Sequence, residues 1–150
     1  MGQRPACLTA LDLVPAPDSP PTTDPTDETV LLELHRSFAW FVIIGNGLAG
    51  VWSLGAHKWP WLRGRALWWF TVVVEVAIFV QVAMGVGMVA GQKLKAPKFH
   101  MFYGFVAIMS VGLIYSYRAQ MERYRYLLYG FGGLFLMGLG IRAMLVAAAG

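Results

Sequence analysis

Four apolar runs, at about 31–54, 66–90, 99–117 and 126–149, dominate the sequence, and only short segments rich in Lys, Arg, Gly and Pro separate them. Each run is long enough to cross the roughly 30 Å hydrocarbon core of a bilayer as a helix. Lipid offers no partners for backbone N–H and C=O groups, so an unpaired strand cannot sit there and each run must be helical. Short connectors then force neighbouring helices to run antiparallel. The expected fold is an all-α integral membrane protein, an antiparallel four-helix transmembrane bundle. A hydrophobic share of 57% and a mean hydropathy of +0.56 lie above the roughly 45–50% apolar content of soluble domains. In a chain of 150 residues, 29–150 form the four-helix domain and 1–28 a Pro-rich N-terminal tail, with no room for a separate soluble domain.

The tail carries Pro5, Pro15, Pro17, Pro20 and Pro21 among Thr, Ser and Asp, without helical or strand periodicity, and is expected to be disordered or extended. It lacks the basic start and sustained apolar centre of a secretory signal, and Cys7 comes too early to follow an exported lipoprotein leader, so it is expected to be retained. As the single cysteine, Cys7 excludes an internal disulfide and a cysteine metal cluster. Asp24 suits an N-cap and Pro25 the first helical position, so helix one should start there. Pro60 and Gly64 break the connector 55–65, the cluster Gly91, Gln92, Lys93, Lys95 and Pro97 ends the second span, and Arg118, Glu122, Arg123 and Arg125 form the third connector.

The net charge of +4 resides mainly in these connectors, where membrane topology places it, and gives no nucleic-acid signal. Lys58, Arg63, Arg65, Arg118, Arg123 and Arg125 share one side, opposite Arg4, Arg36, Lys93, Lys95 and Lys98. The first side is expected to be cytoplasmic, in a bacterial cytoplasmic membrane with both termini on the non-cytoplasmic side. Trp52, Trp59, Trp61, Trp68 and Trp69 gather around the first connector, at the headgroup level that indoles prefer.

At 3.6 residues per turn, His35, Ala39, Val42, Asn46, Ala49, Gly50 and Ser53 share a stripe of helix one, opposite Trp40, Ile44, Leu48 and Val51. The polar and small stripe should face the bundle. A second stripe, His100, Gly104, Ala107, Val111 and Arg118, runs along helix three. Helices one and three start on the same side, so His35 and His100 are expected at matching depth, each with a small residue (Ala39 or Gly104) one turn on. Facing imidazoles ligate haem iron in many helical bundles, and Arg142, returned to that side by helix four, is a candidate propionate partner. On the two histidines and the four spans, the chain resembles small b-type cytochromes and the haem-bearing anchors of quinone-linked dehydrogenases. That resemblance implies one haem b held by His35 and His100. The chain departs from diheme cytochromes whose two histidine pairs span the bilayer, because the remaining histidine, His57, has no partner.

Glu75 lies roughly 15 Å along helix two from Arg65, where an ionised carboxylate is costly without a partner or water. With Gln81 or Asn46 it is a candidate proton relay, quinone contact or ion site, while Asn46 taken alone reads as an interhelical hydrogen-bonding residue. Gly130, Gly132, Gly133, Gly138 and Gly140 give helix four narrow patches suited to close helix contact. No phosphate loop, zinc signature or nucleophile motif is present. The leading expectation is a small non-catalytic subunit or accessory factor of a larger respiratory or photosynthetic membrane complex, contacting lipid and other integral membrane subunits. The alternatives are a single-haem b-type electron carrier and a proton or ion pathway centred on Glu75.

Overall fold

The computed structural model describes residues 25–91 and 96–149. They form helices α1 (Pro25–Lys58), α2 (Arg65–Gly91), α3 (Lys98–Tyr117) and α4 (Arg125–Ala149), with short 3-10 turns at Pro60–Leu62 and Glu122–Tyr124. No strand occurs among the described residues. All four helices are long and apolar enough to cross a membrane. Residues 1–24 of the expected tail, with Cys7 and the Asp24 cap, and the Lys93–Lys95 cluster lie outside the described residues, whereas residues 25–28, also assigned to the tail, are the first of α1.

The expected first span, 31–54, is extended at its C-terminal end, because α1 continues through Gly55 to Lys58. What sustains the extra turn is the connector folding back on it. The Arg63 guanidinium donates from Nε to the Ala56 carbonyl at 2.7 Å and from Nη2 to the His57 carbonyl at 3.0 Å, serving acceptors that a helix end otherwise leaves unpaired. The Trp52 indole donates to the Leu62 carbonyl at 3.2 Å and ties the 3-10 turn to the same helix. An arginine that reads in the sequence as a topology charge is thus also the cap of α1.

The two faces of α1 part as its pattern demands. Asn46, Ala49 and Ser53 are at most 2% exposed, whereas Trp40, Ile44, Leu48 and Val51 all exceed 50% and present the hydrocarbon surface a lipid would cover. Around the bundle, α1 packs on α2 and α4, and α3 packs on α4. The backbones of α2 and α3 stand apart, and these helices meet chiefly through the side-chain core of Ile78, Val111, Ile114 and Leu136.

The tightest seam is α1 against α4, and glycine makes it. A Cβ placed at Gly133 would lie 2.8 Å from the Asn46 carbonyl oxygen and 3.0 Å from the Gly50 Cα, and one at Gly50 would lie 2.9 Å from the Gly130 carbonyl oxygen. These obstructions are backbone and cannot rotate away. Without a hydrophobic drive between helices in lipid, such close approach supplies the packing energy that holds them. Gly138, on the same helix, has nothing within 4 Å of such a Cβ. Gly133→Ala is therefore expected to cost about 1–3 kcal/mol through overpacking, while Gly138→Ala stays within about 0.5 kcal/mol of the native chain. Thermal unfolding in mild detergent measures both; equal losses would show that the seam does not depend on glycine.

Candidate cofactor site

His35 projects from the first third of α1 and His100 from the first turn of α3, the two helices that face each other diagonally across the bundle. Their imidazole centres are 6.1 Å apart with the ring planes at 65°. Both rings are half-buried. His100 Nδ1 lies 3.0 Å from the Ala143 carbonyl oxygen of α4. A carbonyl only accepts, so Nδ1 carries the proton and the lone pair of the neutral ring is on Nε2. That is the arrangement by which outer hydrogen bonds orient metal-ligating histidines.

The His35 ring is held from α2. The Gln81 amide Nε2 donates to the His35 carbonyl at 2.9 Å and approaches His35 Nε2 at 3.3 Å. If that nitrogen accepts, the ring proton sits on Nδ1, which is buried and has no partner. Gly85, one turn beyond Gln81, makes room for the ring, since a Cβ there would stand 3.3 Å from His35 Cε1. Sequence reasoning missed Gly85. The available signal was depth, because the Gln81 contact puts this turn of α2 level with His35. Beside His100, the space next to Gly104 is occupied by Val82, whose Cγ2 would meet a Cβ at 3.5 Å.

Arg142 is exposed and directly precedes Ala143, and its guanidinium stands 6.0 Å from the centre of the Tyr103 ring. His35, His100 and Arg142 therefore gather at one end of the bundle. Arg36 lies at that end too, on the surface, 3.8 Å from Glu33. Among the described residues no group of three or more His, Cys, Asp or Glu is placed to hold a metal ion by itself. The two imidazoles at this end would supply two nitrogen ligands to a metal only if its remaining ligands came from outside these side chains.

The amide nitrogens of Gln81 and Asn46, the groups expected with Glu75, donate to other acceptors. Gln81 is taken up by His35, and Asn46 Nδ2 donates to the Val42 carbonyl at 2.8 Å within α1 and to the Val74 carbonyl of α2 at 3.4 Å. Asn46 thus links the helices through backbone acceptors. Glu75, 4% exposed, instead has the Tyr115 hydroxyl of α3 within hydrogen-bonding reach and Tyr129 of α4 nearby, and its Oε2 has no partner. The rotation of α3 and α4 about their axes, which a sequence pattern leaves open, turns both phenols inward.

Comparisons of the chain with protein-family models, curated proteins and solved structures find no match.

If Glu75 belongs with Tyr115 and not with Gln81, a double-mutant cycle of Glu75→Gln and Tyr115→Phe should show coupling of about 0.5–1.5 kcal/mol, the range of interhelical hydrogen bonds in membranes. The cycle of Glu75→Gln with Gln81→Leu should be additive within about 0.5 kcal/mol. Unfolding measurements in detergent check both, and the reverse ranking would return Glu75 to the Gln81 group.

Proposed function

We propose that the chain is a membrane-embedded electron-transfer subunit that holds one b-type haem between His35 and His100. The observation that carries this reading is the imidazole pair 6.1 Å apart between diagonal helices. Two imidazoles bonded to one iron from opposite sides have ring centres roughly 6 Å apart, each metal–nitrogen bond being about 2 Å and each ring centre about 1 Å behind its nitrogen. When bound, the haem supplies reversible one-electron chemistry.

The remaining work belongs to the chain's own residues. His100 is oriented by the Ala143 carbonyl, which keeps its Nε2 lone pair available and raises its basicity as a ligand. His35 would hold the group through Nε2, with Gln81 orienting the residue through its 2.9 Å bond to the His35 carbonyl. Arg142 at the same end supplies a guanidinium for a propionate carboxylate, a pairing suited to its planar fork of donors.

A single haem near one face cannot relay electrons across the membrane, so the reading includes a partner within a larger integral membrane assembly. With the basic connectors read as cytoplasmic, that haem would lie toward the non-cytoplasmic side of a bacterial cytoplasmic membrane, where both termini would also be.

The test is a reduced-minus-oxidised absorption spectrum of the full chain purified from haem-sufficient cells. A sharp α band of six-coordinate low-spin haem b is expected, lost in both His35→Ala and His100→Ala but retained in His57→Ala. Absence of the band from folded, full-length protein would overturn the assignment, as would its survival in both ligand variants.

A further inference from the structure

At the opposite end from the histidines, α2, α4, Ser53 of α1, Tyr115 of α3 and the α1–α2 connector line an open cavity of about 340 Å³. Three arginines, Arg63, Arg65 and Arg125, line it. Among the described residues none of the three guanidiniums has a carboxylate within 4.0 Å, the ion pair there being Arg36–Glu33 at the other end of the bundle. Two of them crowd one ring: Arg63 lies 5.0 Å and Arg125 5.7 Å from the centre of Tyr126. Like charges drawn to one phenol without a counter-ion make the mouth of the cavity attractive to an anion.

The wall farther in is polar as well. Ser53 is 1% exposed and lines the cavity, yet its Oγ has no hydrogen-bond partner. Serine hydroxyls within helices commonly bond the carbonyl one turn back, as Ser110 does here to Val106 at 2.7 Å. Ser53 forgoes that bond, leaving a buried donor beside the cavity that a ligand oxygen would satisfy.

The rest of the lining is amphipathic. Leu67, Val72 and the half-exposed Trp68 come from the first turns of α2. The cavity thus lies where the backbones of α2 and α3 stand apart, at the level where tryptophans mark the membrane interface. A soluble anion needs no apolar wall, whereas a phospholipid brings an anionic head for the arginines and acyl chains for the gap between the helices.

We propose that this cavity is a binding site for the phosphate of an anionic phospholipid headgroup, held by Arg65 and Arg125 with Arg63 alongside, its acyl chains lying along the α2–α3 gap. Basic pockets between transmembrane helices on the cytoplasmic side take such headgroups. The site is independent of the haem reading, since none of its residues touches His35 or His100.

The experiment is lipid retention by the full chain in a neutral detergent, read by native mass spectrometry after titration with phosphatidylglycerol, phosphatidylcholine or inorganic phosphate. One retained phosphatidylglycerol per chain is expected, with phosphatidylcholine excluded and inorganic phosphate unable to displace the lipid at equal concentration. Arg65→Gln with Arg125→Gln should weaken retention about thirtyfold, the sum expected of two interfacial arginines facing an anionic head. His35→Ala should leave it unchanged, which separates failure here from failure of the haem assignment. Arg63 is kept because it also caps α1. Should the double variant not fold, Arg125→Gln alone carries the test, with about fivefold weaker retention expected. Equal retention of phosphatidylcholine, full displacement by inorganic phosphate, or unchanged affinity in the arginine variants would each overturn the proposal.

Discussion

The closest constraint in this bundle is the approach of the α1 and α4 backbones at Gly50, Gly130 and Gly133. Lipid tails are as apolar as leucine, so burying leucine between helices gains little there, and close van der Waals contact must do the holding. Glycine permits it because any Cβ at Gly50 or Gly133 would strike a carbonyl or Cα of the facing helix. With that seam closed, α4 brings its Ala143 carbonyl to His100 and α1 brings His35 across to meet it. On the other side of the bundle the backbones of α2 and α3 are left apart, and the arginine-lined cavity occupies that end of the opening.

The polar groups of the interior follow the same geometry. His35 Nδ1, Gln81 Oε1, Asn46 Oδ1, Glu75 Oε2 and Ser53 Oγ are buried without partners, and all five belong to α1 or α2. Cross-helix bonds fix their levels: Gln81 sits beside His35, and Asn46 reaches the carbonyl just before Glu75. Ser53 lies about 10 Å farther along α1 from Asn46 at 1.5 Å per residue, beside the cavity. An unsatisfied polar atom is expensive where no water is at hand. All five lie on one pair of helices, α1 and α2, and Glu75 among them looks toward Tyr115 of α3 and Tyr129 of α4. The α1–α4 interface is the side that holds the fold together.

Much of this could be read from residue order, and the limits are equally specific. Hydropathy gave the four helices within a few residues because lipid imposes one solution on a long apolar run. The buried stripe of α1 was legible because Trp40, Ile44, Leu48 and Val51 leave the opposite face to small and polar residues. The common level of His35 and His100 followed from counting residues from the helix breaks. The last turn of α1 was not legible, since it depends on Arg63 folding back across the Pro60–Leu62 turn to reach carbonyls six and seven residues earlier. Nor was the partner of Glu75. The stripe read on α3 leaves out Tyr115, and apolar residues cover α4 nearly all round, so only packing against α1 and α2 shows Tyr115 and Tyr129 turned toward the carboxyl.

The two ends of the bundle therefore offer different chemistry, and their separation limits what the chain can do alone. The imidazole end has two imidazoles, that of His100 with its tautomer fixed by the Ala143 carbonyl, and the guanidiniums of Arg36 and Arg142; the other end has three guanidiniums, phenols and a buried hydroxyl, but no histidine lines its cavity. Between them lies most of the roughly 30 Å hydrocarbon thickness. A metal held by His35 and His100 would be near one surface, with packed aliphatic core such as Val74 and Ile78 between it and the other. On the haem proposal an electron would be held close to one face, and on the lipid proposal the chain would be anchored at the other. A single metal at the imidazole end would not carry an electron across, so a redox role there would call for a second protein seated against that end.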